Sequence, residues 1–215
     1  MVRPLLITDC DEVLLHMVRH FGEWVGQHHD MDFTVASSEI FSSLRHRASG
    51  ERPSAEEAWG LLHGFFPAEM GRQTLVPHAA EALAAVAAQA DVVILTNLHD
   101  QCRAPRAAQL ERFGIRHRVE CNQGGKGDPV ARLVAEHGGP VTVFVDDLAV
   151  HHESVARHAP GVHRLHMVSE PELAPHVPPA PHAHARIDDW RDARDWILER
   201  FAAGLPAADL TAAVA

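Results

Sequence analysis

Surplus positive charge, paired cysteines and long apolar runs are all missing from this sequence, and each absence removes a class of function. Lys and Arg number 19 against 29 Asp and Glu, for a formal net charge of -10. A chain so short of cations is poorly equipped to neutralise nucleic-acid phosphates or an anionic membrane surface. The expected partner is therefore a small molecule, with no nucleic acid and no membrane. The three cysteines, Cys10, Cys102 and Cys121, are an odd number without CxxC spacing, which argues against a disulfide framework and a zinc site and suits a reducing compartment. No stretch approaches the roughly 18 apolar residues of a membrane span, and no charged-then-apolar leader precedes Asp9. A soluble, unexported, cytoplasmic protein is expected, as a monomer or a homodimer.

What is present has the composition of an ordinary globular chain: 215 residues, 46% hydrophobic and 22% charged, enough for one sizeable core and a smaller module. Pro4 to Thr8, Asp91 to Thr96, Val141 to Val145 and, less cleanly, Val162 to Met167 are short aliphatic runs ending at polar residues, the pattern of strands buried on both faces. Helical stretches lie between them. Ala79 to Gln89 is one, and Gln101 to Phe113 another, with Pro105 where only a first turn tolerates it. A third opens with Asp128 as N-cap and Pro129 behind it and closes at Gly138-Gly139. The alternation predicts an α/β fold with a Rossmann-like, doubly wound parallel sheet and right-handed crossovers.

From about residue 15 to residue 75 the alternation stops. Leu14, Met17, Val18, Phe21, Trp24 and Val25 recur at helical spacing, Ile40, Phe41 and Leu44 do so again, and Ser54-x-x-Glu57 is a capping box before Leu61, Leu62, Phe65 and Phe66. A small helical insertion after the first strand is expected, its apolar stripes serving as its own core. The α/β core then comprises residues 1–14 and 76–203. Five prolines between Pro171 and Pro181 mark a loop leading to a last helix at about Asp189 to Phe201. Residues 204–215 carry no strong pattern and are expected to form a mobile tail.

Four polar features fall at strand ends or in the loops that follow: Asp9-Cys10-Asp11, Thr96-Asn97, Lys126 within GGKGDP, and Asp146-Asp147. In an open parallel sheet such loops converge on one crevice at the topological switch point. Gathering four carboxylates is unfavourable alone, because two like charges about 4 Å apart repel by roughly 4 kcal/mol at an effective dielectric of 20. A hard dication with oxygen ligands, Mg²⁺, answers that need without Cys or His, and Lys126 adds one further positive charge.

The order of these features resembles the haloacid dehalogenase superfamily, in which a D-x-D pair, a Ser or Thr, a Lys and an acidic pair surround a Rossmann-like sheet. The resemblance runs from Leu5 to about Arg157 and includes KGDPVARL, the proline-led helix at Pro77 and a helical insertion where the family carries its first-type cap. It implies a Mg²⁺-dependent phosphatase. Asp9 would be the nucleophile and become an aspartyl phosphate, and Asp11 would protonate the leaving alcohol and activate water. Thr96 and Lys126 would hold the phosphoryl group, Lys126 also holding Asp9. Asp9, Asp146, Asp147 and the Asp11 carbonyl would take the metal, while Cys10, Glu12 and Asn97 are assigned contacts with a small phosphorylated substrate. Where the family has Gly-Thr after the second Asp this chain has Glu12-Val13, so Glu12 either faces the substrate or stiffens the loop.

The remaining signals are weaker. The chain has 18 histidines, with His28-His29, His151-His152 and His182-x-His184 adjacent or nearly so, but none has a third ligand at zinc spacing and surface positions are expected. Arg45-His46-Arg47 reads as a solvated helix face. Three other functions fit the residues less well: a hydrolytic dehalogenase of the same superfamily, which does not need Asp11; a phospho-accepting receiver, whose motif order is reversed; and an inactive phosphate-binding relative.

Overall fold

The computed structural model describes residues 2–208 and 210. Its centre is strand β1 (Leu5–Thr8), all four residues of which are fully buried. β1 pairs in parallel on one side with β4 (Asp91–Thr96) and on the other with β6 (Thr142–Asp146), Leu5 standing opposite both Asp91 and Thr142. Beyond β4 lies β5 (Arg118–Cys121), and beyond β6 lie β7 (His163–His166) and β8 (Ala185–Arg186), giving the parallel order β5-β4-β1-β6-β7-β8.

Because side chains alternate along a strand, this sheet feeds two cores. Leu6, Val92, Ile94, Val143 and Val145 face α3 (Ala79–Ala87) and α7 (Trp190–Ala203). Leu5, Ile7, Val93, Leu95 and Phe144 face α5 (Gly127–Glu136) and α6 (Ala149–His158). The chain leaves β1 toward β4 on one side and later enters β6 on the other, so the strand order switches at β1. The C-terminal ends of β1, β4 and β6 therefore lie side by side at the switch point, the place where ligands bind in open parallel sheets.

Between β1 and α3 the insertion builds a separate apolar cluster, with Phe21, Trp24 and Val25 of α1 (Val18–His28) packed on Leu61 and Phe65 of α2 (Ala55–Glu69). Half of the expected capping box is present: the Ser54 hydroxyl accepts from the Glu57 N–H at 3.1 Å, while the Glu57 carboxylate faces His46 Nε2 at 3.3 Å. The insertion is not wholly helical. Ile40 and Phe41 sit in a 3-10 turn, and Leu44 begins β3 (Leu44–His46), which pairs antiparallel with β2 (Met31–Phe33). Arg45-His46-Arg47 thus lies on and just past a strand, where Arg47 reaches Asp30 and Asp32. Its two limbs meet beside the sheet: the His16 N–H donates to the Thr74 carbonyl at 2.9 Å and the Val76 N–H to the Leu14 carbonyl at 2.8 Å.

One further reading is corrected. Asp128 lies inside α5 rather than capping it; the helix starts two residues earlier than expected, and the Gly127 N–H is satisfied by the Ser154 hydroxyl at 3.0 Å. After α7 the Ala207 N–H donates to the Gly161 carbonyl at 2.9 Å and the Leu205 carbonyl contacts His163 Nε2 at 2.9 Å. Residues 209 and 211–215 lie outside the described residues. Among the described residues no helix is long and apolar enough to cross a membrane.

Candidate active site

Asp9 follows β1, Thr96 ends β4 and Asp146 ends β6, so parallel pairing brings all three to one edge of the sheet. Lys126 comes from the opposite side, at the start of α5. It can stand so close because Gly127 follows it: a Cβ there would overlap the Ser154 carbonyl and the His158 ring of α6. Lys126 is fully buried, and its Nζ bridges Asp9 Oδ1 at 2.8 Å and Asp146 Oδ2 at 2.7 Å.

Electrostatics follow from burial and from this bridge. Burial pushes the Asp9 carboxyl up to about 7, with Lys126 opposing and Asp146 reinforcing the rise. Burial is the largest single influence on Asp146 and would raise it too, but the Lys126 charge and hydrogen bond, with His151 and His152, together hold that carboxyl below its usual value. Asp147 is pushed well above the carboxylate range by burial and by Asp146 and Asp9. Lys126 is held protonated by the same two aspartates against the effect of its own burial.

One oxygen from each of Asp9, Asp146 and Asp147 lies within 4.8 Å of the others. Three carboxylates against one ammonium leave an excess of negative charge, and the donors are all oxygen, so the set suits a hard dication such as Mg²⁺. Both Asp146 oxygens are already engaged, one by Lys126 and the other by the Leu148 N–H at 2.9 Å. Among the described residues the Asp147 carboxylate has no such partner.

The other sequence candidates divide. Thr96 is buried at the end of β4, and its carbonyl accepts from the Asn122 N–H at 2.9 Å. Asn97 is exposed and tied to the lysine loop, donating to the Gly124 carbonyl at 2.8 Å. The Cys10 side chain belongs to the core below the sheet, and its N–H bonds Asp9 Oδ1 at 2.7 Å.

Asp11 is not among the carboxylates that Lys126 bridges. Arg106 of α4 (Arg103–Arg112) donates from Nη2 to both its oxygens at 3.0 Å, and Gln73 Nε2 reaches Oδ1 at 2.8 Å.

Glu12 accounts for the departure at the fourth position of the D-x-D loop. Its φ is 58°, the left-handed region that glycine enters without cost. Its side chain is buried, and Oε1 accepts from the Met17 and Val18 N–H groups at 2.6 and 2.5 Å. The residue thus caps the start of α1, where an anion is favoured by unpaired N–H groups.

Sequence reasoning missed Arg106, Gln73 and the buried histidines. His151 and His152 are inside, not on the surface: His152 Nε2 lies 3.0 Å from the Asp146 carbonyl, and His166 Nε2 lies 2.8 Å from that of Asp147. Both rings fix the backbone that carries the acidic pair. A lone Arg in a helix, or histidines at mixed spacing, gives no sequence signal of such contacts.

No protein-family model matches the chain, and no curated protein matches it in sequence. Solved structures do. A haloacid dehalogenase-like protein of unknown function from Agrobacterium tumefaciens superposes with a TM-score of 0.62 at 16% identity, over 91% of this chain and 97% of that one. A HAD-superfamily hydrolase of subfamily IA from Geobacter sulfurreducens gives 0.60 at 15%, over 91% and 97%. A protein from Haemophilus somnus named a predicted phosphoglycolate phosphatase gives 0.60 at 16%, over 92% and 99%. The chain therefore has the haloacid dehalogenase-like hydrolase fold.

Proposed function

We propose that the chain is a hydrolase of the haloacid dehalogenase superfamily, a Mg²⁺-dependent phosphatase that acts on small phosphorylated metabolites through an aspartyl phosphate on Asp9. The observation that carries this reading is the Lys126 bridge between Asp9 and Asp146. It fixes the nucleophile while leaving its second oxygen to attack.

In the first half-reaction Asp9 attacks phosphorus, the phosphorus–ester oxygen bond breaks, and Asp11 gives its proton to the departing alkoxide. In the second, Asp11 takes a proton from water, the hydroxide attacks the aspartyl phosphate, and inorganic phosphate leaves with Asp9 restored. Lys126, Thr96 and the N–H groups after Asp9 hold the phosphoryl oxygens. Mg²⁺, held by Asp9, Asp147, Asp146 and the Asp11 carbonyl, supplies charge neutralisation there when bound. Asp11 must give up part of its contact with Arg106 and Gln73 in each cycle. The insertion serves as a lid that excludes water, Asn97 beside the lysine loop contacts the substrate, and Glu12, engaged at the start of α1, stiffens the loop and does not face the substrate.

The test is release of inorganic phosphate from a panel of phosphate monoesters with Mg²⁺, using the intact chain and Asp9→Asn. Activity in the first and its loss by several orders of magnitude in the second is the expected result. A blank panel, or a few per cent of turnover retained by Asp9→Asn, overturns the reading.

A further inference from the structure

A second group of metal-ligating side chains lies where the insertion leaves the core. Glu12 and His16 stand on the outgoing limb and Glu170 in the loop after β7; one ligand atom from each lies within 4.8 Å of the others. All three are buried, at 1%, 4% and 3% exposure. Ser169 already joins the two segments, its N–H and hydroxyl both donating to the Glu12 carbonyl at 3.0 and 2.6 Å.

Two atoms in this group lack a hydrogen-bond partner among the described residues, and both are buried: Glu12 Oε2 and His16 Nδ1. A buried carboxylate oxygen left unpaired carries its desolvation penalty uncompensated, so it calls for a cation or a donor. His16 Nδ1 points at Glu170 Oε2 from 3.4 Å. That is longer than a hydrogen bond, yet it matches the spacing of about 3.4 Å between two ligands each about 2.1 Å from a tetrahedral ion. Burial, with Arg19 adding to it, holds the His16 imidazole below its usual value, so the nitrogen lone pair is free to coordinate.

We propose that Glu12, His16 and Glu170 form a second cation site, distinct from the Asp9 centre and selective for a first-row divalent transition ion such as Zn²⁺. The imidazole sets the preference, since Mg²⁺ and Ca²⁺ favour all-oxygen shells and borderline ions accept nitrogen. Arg19 now occupies the position an ion would neutralise, with Nε on Glu170 Oε2 at 2.6 Å and Nη2 on Oε1 at 3.0 Å. Its side chain is 42% exposed, so it can yield Oε2 to the ion and keep Oε1. An ion here pins the outgoing limb of the insertion to the loop after β7. It also places positive charge near Asp147, whose carboxyl already feels Glu12.

The experiment uses chelator-treated full-length protein with Mg²⁺ in excess, titrated with Zn²⁺ by calorimetry and then crystallised for zinc-edge anomalous diffraction. The expected result is a zinc peak bonded to Glu12, His16 and Glu170, with affinity weakened at least about tenfold in both His16→Gln and Glu170→Gln. A peak only at Asp9, Asp146 and Asp147 or on surface histidines overturns the proposal, as does unchanged affinity in either folded variant. If one variant does not fold, the peak position and the other decide. Neither readout needs turnover, so this site and the phosphatase reading fail separately.

Discussion

Arg106 Nη2 contacts both oxygens of Asp11 at 3.0 Å from a position with no solvent exposure. Arg106 Nη1 is held in turn by the Gln73 and Gln109 side-chain oxygens at 3.0 Å each, and its Nε has no partner among the described residues. Among the described residues Asp11 is therefore the only carboxylate bonded to Arg106. Asp9 differs, because Lys126 retains Asp146 if Asp9 is neutralised.

It follows that the two aspartates separate in stability. Asp11→Asn leaves a buried charge uncompensated and should cost about 3–5 kcal/mol, whereas Asp9→Asn, which removes a carboxylate that burial already disfavours, should stay within about 1 kcal/mol of wild type. Urea unfolding of both variants at neutral pH checks this. Equal stabilities would mean that Arg106 finds another anion or water when Asp11 is neutral.

Metal binding should rank the acidic pair. Asp146 spends its two oxygens on Lys126 and the Leu148 N–H, whereas Asp147 is free to coordinate. Asp147→Asn should weaken Mg²⁺ at least about tenfold and leave the fold intact. Asp146→Asn should lower stability as well, because it removes the carboxylate that Lys126 keeps ionised and leaves that lysine only Asp9, whose charge burial disfavours. Mg²⁺ should raise the wild-type Tm, and Ca²⁺ should bind yet support little turnover, since its larger, looser shell misplaces the nucleophile. Calorimetry and thermal scans measure the ranking; equal Mg²⁺ affinities in the two variants would undo it.

Much of the fold was legible because its central strands are continuous aliphatic runs; β4 was read with its observed ends. β5 was missed because it is an edge strand, where Arg118 and Glu120 pair across the surface and only Val119 is fully buried. β2 and β3 were missed because three-residue strands carry too few alternations to beat a helical reading. Strand-end acids were found because topology alone gathers them. Arg106, Gln73, His16 and Glu170 were not, because their meeting depends on how the insertion's limbs and the loop after β7 pack, which no local pattern records.

The buried histidines should make the protein acid-labile in a defined window. Burial, partly offset by Asp146, pushes His152 down to about 4, below the unfolded value of about 6.5. The unfolded chain then takes the proton first, so this stability is complete above about pH 6.5 and is lost as pH falls toward 4. Asp9 and Glu12, each raised to about 7 by burial, act in the opposite sense, so the contribution must be read as a difference. Between pH 7 and 4.5 the wild type should lose roughly 2–3 kcal/mol more than His152→Gln, whose amide can still donate to the Asp146 carbonyl. Parallel curves in urea would show that His152 is reached by solvent.

The last prediction concerns how the insertion speaks to the reacting centre. Gln73 lies on its returning limb and is buried, yet Nε2 bonds Asp11 and Oε1 accepts from Arg106. Any lid motion at Leu14–His16 and Thr74–Val76 therefore moves a partner of the proposed acid/base group. A displacement near 1 Å at such a group can cost on the order of 100-fold in rate. Gln73→Ala should accordingly lower kcat about 10- to 100-fold on an ester from the phosphatase panel and change KM by less than about threefold, because the side chain positions Asp11 and does not bind substrate. Steady-state kinetics on folded protein separates the outcomes. A raised KM with unchanged kcat would place Gln73 on the substrate surface, and no change in either would disconnect the limb from catalysis.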